Sequence, residues 1–509
     1  MRTVLTTLYL LSAFSSHMLG QLQPSSVKTS RVWVGLSAIS VDSIFAKSYK
    51  LLYPIYDYKA DSSTSRLFIS ARQGGETNRN SALSRGFFTS LNCLNDSISW
   101  LNESGLYHVE VVTKNLLLSN DVRTVKYNKL HGYDEVRYDS KLIYYVPHLN
   151  KGFYYDKVQE NVLHCVNLTT GLTSWTCSIP RKENWVDTKL LNDSILLIAA
   201  SGLHAVNLKK GLLWSIPLST NVKTNRSFTY SLAKFNTIAR ISEVTKTARE
   251  QNQVTQLASN ILLGNEKIYF VSREKMIAVN KQGKQIWQLD LKNYPTSKMY
   301  ISNTDTSLIL VNFGLATHSN NFVTWGKPFI ITIDQNTGRV MDQFNLSYIE
   351  NLADFIQTKT SLIFAGKSGI LEARPGTELK TVLELGAYKY GEFVEFIDGD
   401  NYYIFKEGYY VPLNFINDNL VYFKTDNNKV YGISGDELTY EYHYTELFRQ
   451  DKKFEDKTIL VNDDKTIITS TNFELLFTIN LSFPNVIQND KMYFMGESII
   501  YQVNLKDLK

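Results

Sequence analysis

Histidine and acidic residues are the side chains of this sequence whose spacing could form a catalytic or metal site. No histidine stands in a His-Glu-x-x-His pattern or beside cysteines at a zinc-ligand spacing. His164 and His204 both directly precede a small residue in matching contexts, which indicates a shared structural role. Asp334 begins a spacing that partly fits a calcium loop, but the sixth-position Gly and the twelfth-position Glu are missing. We therefore predict no catalytic residue, no metal site and no cofactor.

The cysteines allow one covalent feature. Cys165 and Cys177 flank a turn, so they could cross-link a hairpin; the alternative is that both are small buried residues. Cys93 is then an odd thiol, which we expect to be buried. No Gly-x-Ser-x-Gly elbow and no Gly-x-Gly-x-x-Gly loop occurs, so the motifs of serine hydrolases and dinucleotide-binding enzymes are missing.

Charge and hydropathy exclude two classes of partner. The net charge is +5 over 509 residues, and Lys and Arg do not cluster as they do in a nucleic-acid-binding face. No later segment approaches 18 consecutive apolar residues, so we predict no transmembrane segment. We expect no nucleic-acid partner and no membrane span.

The first residues are typical of a cleavable secretory signal. Arg2 supplies a positive start, 4–14 is apolar, and 15–20 is small and polar. The alternative is a buried N-terminal strand or helix. We predict a signal peptide at 1–20 and a secreted or periplasmic mature chain.

A short pattern recurs along the chain: a strand ending in Asn or Asp, a polar turn closed by Gly, and a second strand carrying Trp. The Asn or Asp can accept hydrogen bonds from the turn, Gly adopts positive φ, and Trp can fill the space between adjacent sheets. Asp96 takes the glycine position in the first copy, 90–100. The residues that we predict to build this structural repeat are Trp100, Trp175, Trp214, Trp287, Gly171, Gly211, Gly283 and Gly338.

The pattern small-apolar-Asp/Asn-x-x-Thr-Gly-x-x-x-Trp resembles the repeat of pyrroloquinoline-quinone-like propellers. The resemblance implies an all-β fold, a β-propeller of four-stranded antiparallel blades. The quinone-dependent enzymes of this group use adjacent cysteines beside the cofactor and a calcium site. No two cysteines are adjacent here, so we expect a non-enzymatic member.

The strand-like segments predict eight blades, with seven as the alternative. We expect 21–509 to form a single propeller closed by N- and C-terminal strands, with 32–36 joining the final strands. Loop insertions are expected near 113–140 and 220–253; the second could hold a short helix or be irregular.

The functional expectation follows from the export signal, the repeat and the missing catalytic motifs. We expect a monomeric scaffold that binds another protein or an extracellular ligand, through loops on a rigid framework. The alternative is an enzyme or glycan-binding protein with a site at the central mouth of the propeller. Tyrosine pairs such as Tyr402-Tyr403 could stack on sugars, but strand packing explains them as well.

Overall fold

The structure is a computed structural model. It describes residues 27–508 apart from 41, 62, 73–84, 113, 120–122, 139, 160, 181–184, 225–252, 256, 292–298, 305, 319–320, 347–351, 358–361, 367–368, 374–378, 385–390, 396–401, 406–408, 413–420, 426–428, 435–436, 444–447, 471–473, 483 and 489. The expected signal peptide at 1–20 and most of the second expected insertion, 225–252, lie outside the described residues.

Nearly all regular structure in the described residues is β-strand. The first strands are β1 (Lys28–Ser37), β2 (Ser43–Lys50), β3 (Ile55–Asp61), β4 (Arg66–Arg72), β5 (Arg85–Asn92), β6 (Ser97–Gly105), β7 (His108–Val112), β8 (Asn115–Ser119), β9 (Thr124–Tyr127), β10 (Asp134–Arg137), β11 (Tyr144–Val146), β12 (Lys151–Tyr155), β13 (Val162–Asn167), β14 (Thr173–Ser178), β15 (Asp187–Asn192), β16 (Ile195–Ala200), β17 (Gly202–Asn207), β18 (Gly211–Pro217), β19 (Val222–Lys223), β20 (Gln253–Thr255), β21 (Leu262–Leu263), β22 (Lys267–Val271), β23 (Lys275–Asn280) and β24 (Gln285–Asp290).

The remaining strands are β25 (Met299–Thr304), β26 (Ser307–Asn312), β27 (Leu315–His318), β28 (Asn321–Thr324), β29 (Phe329–Asp334), β30 (Val340–Asn345), β31 (Leu352–Gln357), β32 (Leu362–Gly366), β33 (Gly369–Ala373), β34 (Lys380–Glu384), β35 (Gly391–Glu395), β36 (Tyr402–Phe405), β37 (Tyr409–Pro412), β38 (Val421–Thr425), β39 (Lys429–Ser434), β40 (Glu437–His443), β41 (Phe448–Phe454), β42 (Lys457–Val461), β43 (Thr466–Ser470), β44 (Leu475–Ile479), β45 (Pro484–Gln488), β46 (Lys491–Met495) and β47 (Ile499–Asn504). Short 3-10 helices cover Pro147–Leu149 and Leu505–Asp507.

The chain divides into two compact units. Unit 1 is drawn from Met1–Tyr154, Val166–Leu172 and Phe448–Lys509, and unit 2 from Tyr155–Cys165 and Thr173–Leu447. Eight of the nine sheets in the described residues are four-stranded and antiparallel, and the ninth is larger and contains β1, β2 and β41–β47 of unit 1. In unit 1 the four-stranded sheets include β3-β4-β5-β6 and β7-β8-β9-β10, and in unit 2 β15-β16-β17-β18, β21-β22-β23-β24 and β31-β32-β33-β34.

Strand β26 shows how alternation builds the core of unit 2. Leu308 and Leu310 pack into the cluster that includes β22 and β23, whereas Ile309 and Val311 pack into the cluster that includes β32 and β33. Successive side chains point to opposite faces of a sheet, so an apolar run can fill both faces when sheets lie on either side. The sheet containing β26 is therefore a middle layer in a stack of sheets.

The strands at the two ends of the chain lie together in unit 1. β1 pairs with β2 and with β44, and β2 also pairs with β47. Val34 and Ile44 are buried in one cluster with Phe494 and Val503. The N-terminal hairpin thus contributes both backbone pairing and core packing to the C-terminal sheets.

These sheets bear on two of the expectations from the sequence. Residues near 113–140 are not a loop insertion, because they contain β8, β9 and β10, and Leu116–Leu118 is buried. This copy has no Trp, which is why the sequence pattern did not reveal it. The eight-blade count is not confirmed, and a single closed propeller stays a proposal.

Candidate functional site

The turn between the third and fourth strands of a sheet is built by one side chain. Asn207 Oδ1 accepts hydrogen bonds from the backbone N–H groups of Lys209 and Lys210, at 2.9 and 3.0 Å. Asp334 makes the same contacts with Asn336 and Thr337, at 3.0 and 2.8 Å. Such side chains stabilise a tight turn by satisfying its backbone donors.

The tryptophan of each repeat contacts the glycine turn of a following sheet. The Trp287 Nε1–H donates to the Gln335 carbonyl at 3.1 Å, and a Cβ built on Gly338 would lie 2.6 Å from Trp287 Cδ2. Gly338 also has a φ of +73°. Glycine is needed here both for the left-handed backbone and for the close approach of the ring.

The other predicted repeat residues form equivalent contacts. In unit 2, Trp175 donates to Leu208 and lies on Gly211, and Trp214 donates to Lys281 and lies on Gly283. In unit 1, Trp100 donates to the Lys129 carbonyl and lies on Gly132, whereas Gly171 receives the side chain of Val136. Val136 thus stands where other sheets carry Trp. Sequence reasoning missed Gly132, although Asn128 four residues earlier carried the turn signal.

Asp96 replaces the glycine at the contact between the N-terminal hairpin and the first full sheet. Its φ is +58°, and its carboxylate forms an ion pair with Lys47. Lys47 pairs with Gln502 as Trp214 pairs with Ala205, so Lys47 occupies the tryptophan position. A lysine–aspartate pair therefore replaces the tryptophan–glycine contact at this place in unit 1.

Tyr49 strengthens the same contact from inside the core. Its hydroxyl lies 2.9 Å from Asp96 Oδ1 and 2.8 Å from Gln502 Oε1. Burial, and then the carboxylate of Asp96, raise the pKa of Tyr49, so the phenol stays a donor. Burial opposes ionisation of Asp96, but Lys47 and Tyr49 outweigh it and hold the pKa of Asp96 below its usual value.

The possible disulfide between Cys165 and Cys177 is not formed; both are free thiols. In the next sheet, Ala205 is opposite Trp214 and Leu203 is opposite Ile216. By the same register, Cys177 corresponds to Ile216 and lies diagonal to Cys165. Diagonal Cβ atoms are too far apart for a sulfur–sulfur bond. Burial raises the pKa of the Cys177 thiol to about 11, so it stays protonated near pH 7.

The matching histidines have different environments. His164 Nε2 lies 3.3 Å from Asp156 Oδ2. His204 is 1% exposed, and its Nδ1 lies 2.8 Å from Ser215 Oγ. Burial lowers the pKa of His204 to about 4, so the ring is neutral near pH 7. Among the described residues, these two side chains contact different partners and do not form a ligand pair.

The N-terminal hairpin presents apolar side chains to solvent. Trp33 is opposite Phe45, Gly35 is opposite Ile44, and Leu36 is opposite Ser43, so β1 contains one extra residue. Such a β-bulge changes which side chains share a face. Because of it, Trp33, Leu36 and Phe45 lie on one face, and they are 48%, 42% and 41% exposed. We call these three residues the aromatic face of the hairpin.

Gly35 makes the bulge possible. A Cβ at this position would clash with the backbone carbonyl of Thr478 in β44. The absence of a side chain lets β1 approach β44, where Gly35 pairs with Ile479. The bulge and the β44 pairing are therefore linked at one residue.

A cleft of about 820 Å³ opens beside the hairpin. β2 pairs with β47 through Lys47–Lys50 and Ile499–Gln502, and in the described residues this pairing stops at Lys47 and Gln502. The cleft lies where the two strands continue without pairing. Its lining residues are Thr29, Ser30, Arg31, Ser37, Ser40, Asp42, Ser43, Ile44, Phe45, Ala46, Lys47, Phe477, Gln502, Val503, Asn504, Asp507 and Leu508.

The charged side chains of the cleft differ in how they are held. Arg31 lies over the ring of Phe45, with its Cζ 4.1 Å from the ring centroid. Lys47 is paired with Asp96, and Asp507 Oδ1 accepts a hydrogen bond from Asn504 at 3.0 Å. A guanidinium on an aromatic ring keeps its N–H edge available for a carboxylate.

The sheets and the repeated tryptophan contacts define an all-β repeat protein with an exposed cleft at its N-terminal hairpin. No family model and no curated protein matches the chain. Similar solved structures include BamB from Moraxella catarrhalis, with 11% identity, a TM-score of 0.29 and coverage of 69% of this chain and 97% of that chain.

Two further structures show the same weak level of similarity. The computationally designed Ika8 protein has 9% identity, a TM-score of 0.31 and coverage of 73% of this chain and 95% of its own. Hsv2 from Kluyvelomyces marxianus has 7% identity, a TM-score of 0.27 and coverage of 86% of this chain and 100% of its own. Values this low do not support an argument about fold or function. Among the described residues, no helix is long and apolar enough to cross a membrane.

Proposed function

We propose that this chain is an exported β-propeller scaffold that binds another protein at its N-terminal hairpin. The observation that carries the proposal is the aromatic face, which borders an 820 Å³ cleft. Large exposed apolar side chains that cluster on one surface mark interaction sites more often than single ones do. Trp and Phe beside an Arg are typical of the residues that dominate binding energy at interfaces.

Three features of the structure support the propeller architecture. Eight of the nine sheets in the described residues are four-stranded and antiparallel, tryptophans contact the turns of following sheets, and the N-terminal strands pair with the C-terminal strands. In a propeller, blades pack face to face and a terminal strand completes the last blade. The ring and its blade count belong to this proposal.

Export is tested on the chain itself. The chain is expressed with its full N-terminus in its own organism, and the mass of the mature protein is measured. We expect loss of 1–20, so that the mature chain begins at Gln21. A mature chain that keeps its first residues would contradict export through this signal.

Partner binding is tested by cross-linking. A photoreactive phenylalanine analogue replaces Trp33 or Phe45, and in separate control chains it replaces Leu52 or Val158, which are exposed elsewhere. We expect one protein, identified by mass spectrometry, to cross-link at the first two positions only. The purified protein should then bind a Trp33→Ala/Phe45→Ala chain at least about 30-fold more weakly, because even one such anchor contributes about 2 kcal/mol or more.

The proposal would be contradicted if the control positions Leu52 and Val158 cross-link to the same protein as efficiently as Trp33 and Phe45 do. A cross-link only to a second copy of the chain would show that the aromatic face is a self-association surface. The glycan-binding alternative would be favoured if no protein cross-links to the chain and the Trp33→Ala/Phe45→Ala variant no longer binds a soluble glycan that the unmodified chain binds.

A further inference from the structure

We infer that the cleft beside β2 takes an extended peptide segment of a partner protein, which adds as a strand along Ser43–Ala46 and places a carboxylate against Arg31. This inference rests on the proposed function and specifies how the partner is bound. Three properties of the cleft support it: open backbone edges, dimensions and charge.

The backbone edges are the first support. β1 occupies one edge of Ser43–Ala46, and β46 occupies one edge of Val503 and Asn504. In the described residues, no strand occupies the edges that face the cleft. In an antiparallel pair, alternate residues direct their N–H and C=O groups away from the partner strand. A strand added along Ser43–Ala46 would satisfy the open groups of that edge, which otherwise depend on water.

The dimensions agree with a short strand. Ser43–Ala46 extends over about 13 Å, at about 3.3 Å per residue. The cleft volume of about 820 Å³ lies within the range of about 300–1,000 Å³ that is usual for binding pockets. The site therefore has room for a few residues of extended chain beside Phe45.

Charge selects the peptide. Among the described residues, no carboxylate forms an ion pair with Arg31, whereas Lys47 is neutralised by Asp96. Arg31 lines the cleft, and because it is opposite Lys47 in the hairpin it is level with the closed end of the Ser43–Ala46 edge. Asp42 lies at the other end and disfavours a second acid there. The fitting peptide thus carries one acidic side chain, and that side chain lies at the Arg31 end.

The test is selection from a displayed library of random octapeptides on the full-length chain. The same selection is run on Arg31→Glu, and on Lys28→Glu as the matched control. Lys28 is an exposed cation on the same strand that does not line the cleft. The best peptide is then synthesised in two forms, each N-methylated at one of the two sets of alternate residues.

We expect selected peptides to contain Asp or Glu and to bind at least tenfold more weakly to Arg31→Glu than to Lys28→Glu. One pattern of N-methylation should abolish binding and the other should not, because strand addition uses every second N–H. Strand addition would be overturned if both N-methylated peptides still bind, or if neither of them binds. The proposal would also be overturned if the selection enriches no peptide on the unmodified chain relative to the Arg31→Glu chain. The cross-linking result at Trp33 and Phe45 decides the proposed function independently of these outcomes.

Discussion

At the residue scale, the ring of Trp287 meets Gly338 at a distance that leaves no room for a methyl group. Replacing Gly338 with Ala places a side chain in left-handed backbone, which costs about 1–2 kcal/mol, and also displaces the ring. Replacing Trp287 with Ala leaves a cavity and costs about 3–5 kcal/mol. The two residues act on one contact, so their effects are coupled.

We predict that the double variant Trp287→Ala/Gly338→Ala is less destabilised than the sum of the single variants. Without the indole, the new methyl group meets empty space, so Gly338→Ala adds only its backbone cost to the cost of Trp287→Ala. Urea unfolding followed by circular dichroism measures the three free energies. Ile286→Ala is the control, because Ile286 precedes Trp287 in β24 and is exposed; it should change stability by less than about 0.5 kcal/mol. Additive single effects would contradict the contact.

His204 gives the protein a pH-dependent stability. Burial lowers its pKa from 6.5 to about 4 in the folded chain, so folding favours the neutral ring. The unfolded chain binds the proton first, and stability is therefore full above pH 6.5 and falls as the pH drops toward 4. The loss should reach about 3 kcal/mol at pH 4, from about 1.4 kcal/mol per pKa unit.

Replacement of His204 by Gln should remove this part of the pH dependence. The measurement is the unfolding free energy at several pH values between 7 and 4 for both chains. His131→Gln, at an exposed position, serves as the control and should leave the slope unchanged. A His204→Gln chain with the wild-type slope would show that another group is responsible.

At the element scale, the contact between β2 and the β5–β6 turn replaces an apolar contact with an ionic one. Asp96 keeps left-handed backbone without glycine and uses its side chain to bind Lys47 and Tyr49. Aspartate tolerates this conformation better than most residues, because its short side chain can bond locally. The element that completes the C-terminal sheet is thus held by polar contacts as well as by core packing.

We predict that Asp96→Ala destabilises unit 1 by about 2–3 kcal/mol and that Asp96→Asn costs less than about 1 kcal/mol. Alanine loses the partner of Lys47 and one of the two acceptors beside the buried Tyr49 hydroxyl, and it adds backbone strain, whereas asparagine keeps an acceptor and tolerates positive φ. Hydrogen exchange of the β2 and β47 amides measures the local loss. Equal effects of the two substitutions would argue that the charge alone matters.

The sequence allowed the tryptophan repeats to be recognised because each copy is local: Asn207, Gly211 and Trp214 lie within eight positions. It did not reveal which Trp contacts which Gly, since that contact joins neighbouring repeats. The cleft was not predicted, because it joins β2 to β47 across the length of the chain. The exposure of Leu36 depends on a bulge, and a bulge depends on how closely β44 approaches.

At the scale of the whole molecule, the first and last described strands hold each other. Val34 and Ile44 of the hairpin are buried at 3% and 6% exposure, in a cluster with residues of β42, β44 and β46. The chain that follows the hairpin is exposed at Leu52, whose side chain is 85% accessible to solvent. Leu51 donates to the Ser498 carbonyl and Tyr53 stacks on Phe87, so the cut must fall at Leu52 itself, where it would leave the strand pairing of the hairpin intact.

We predict that a chain cut at a protease site inserted at Leu52 stays folded, with the hairpin fragment bound without a covalent link. Both pieces should elute together in size-exclusion chromatography, and the β46 and β47 amides should keep their protection from hydrogen exchange. A chain that begins after Leu52 should lose that protection, because β47 then lacks its partner strand and the core lacks Val34 and Ile44. A synthetic peptide of 28–50 should restore it, whereas the same peptide with Ile44→Asp should not, since a buried unpaired carboxylate is costly. Full protection in the shortened chain without peptide would show that the C-terminal sheets do not need the hairpin, and the proposed closure of the propeller by its two ends would fail with it.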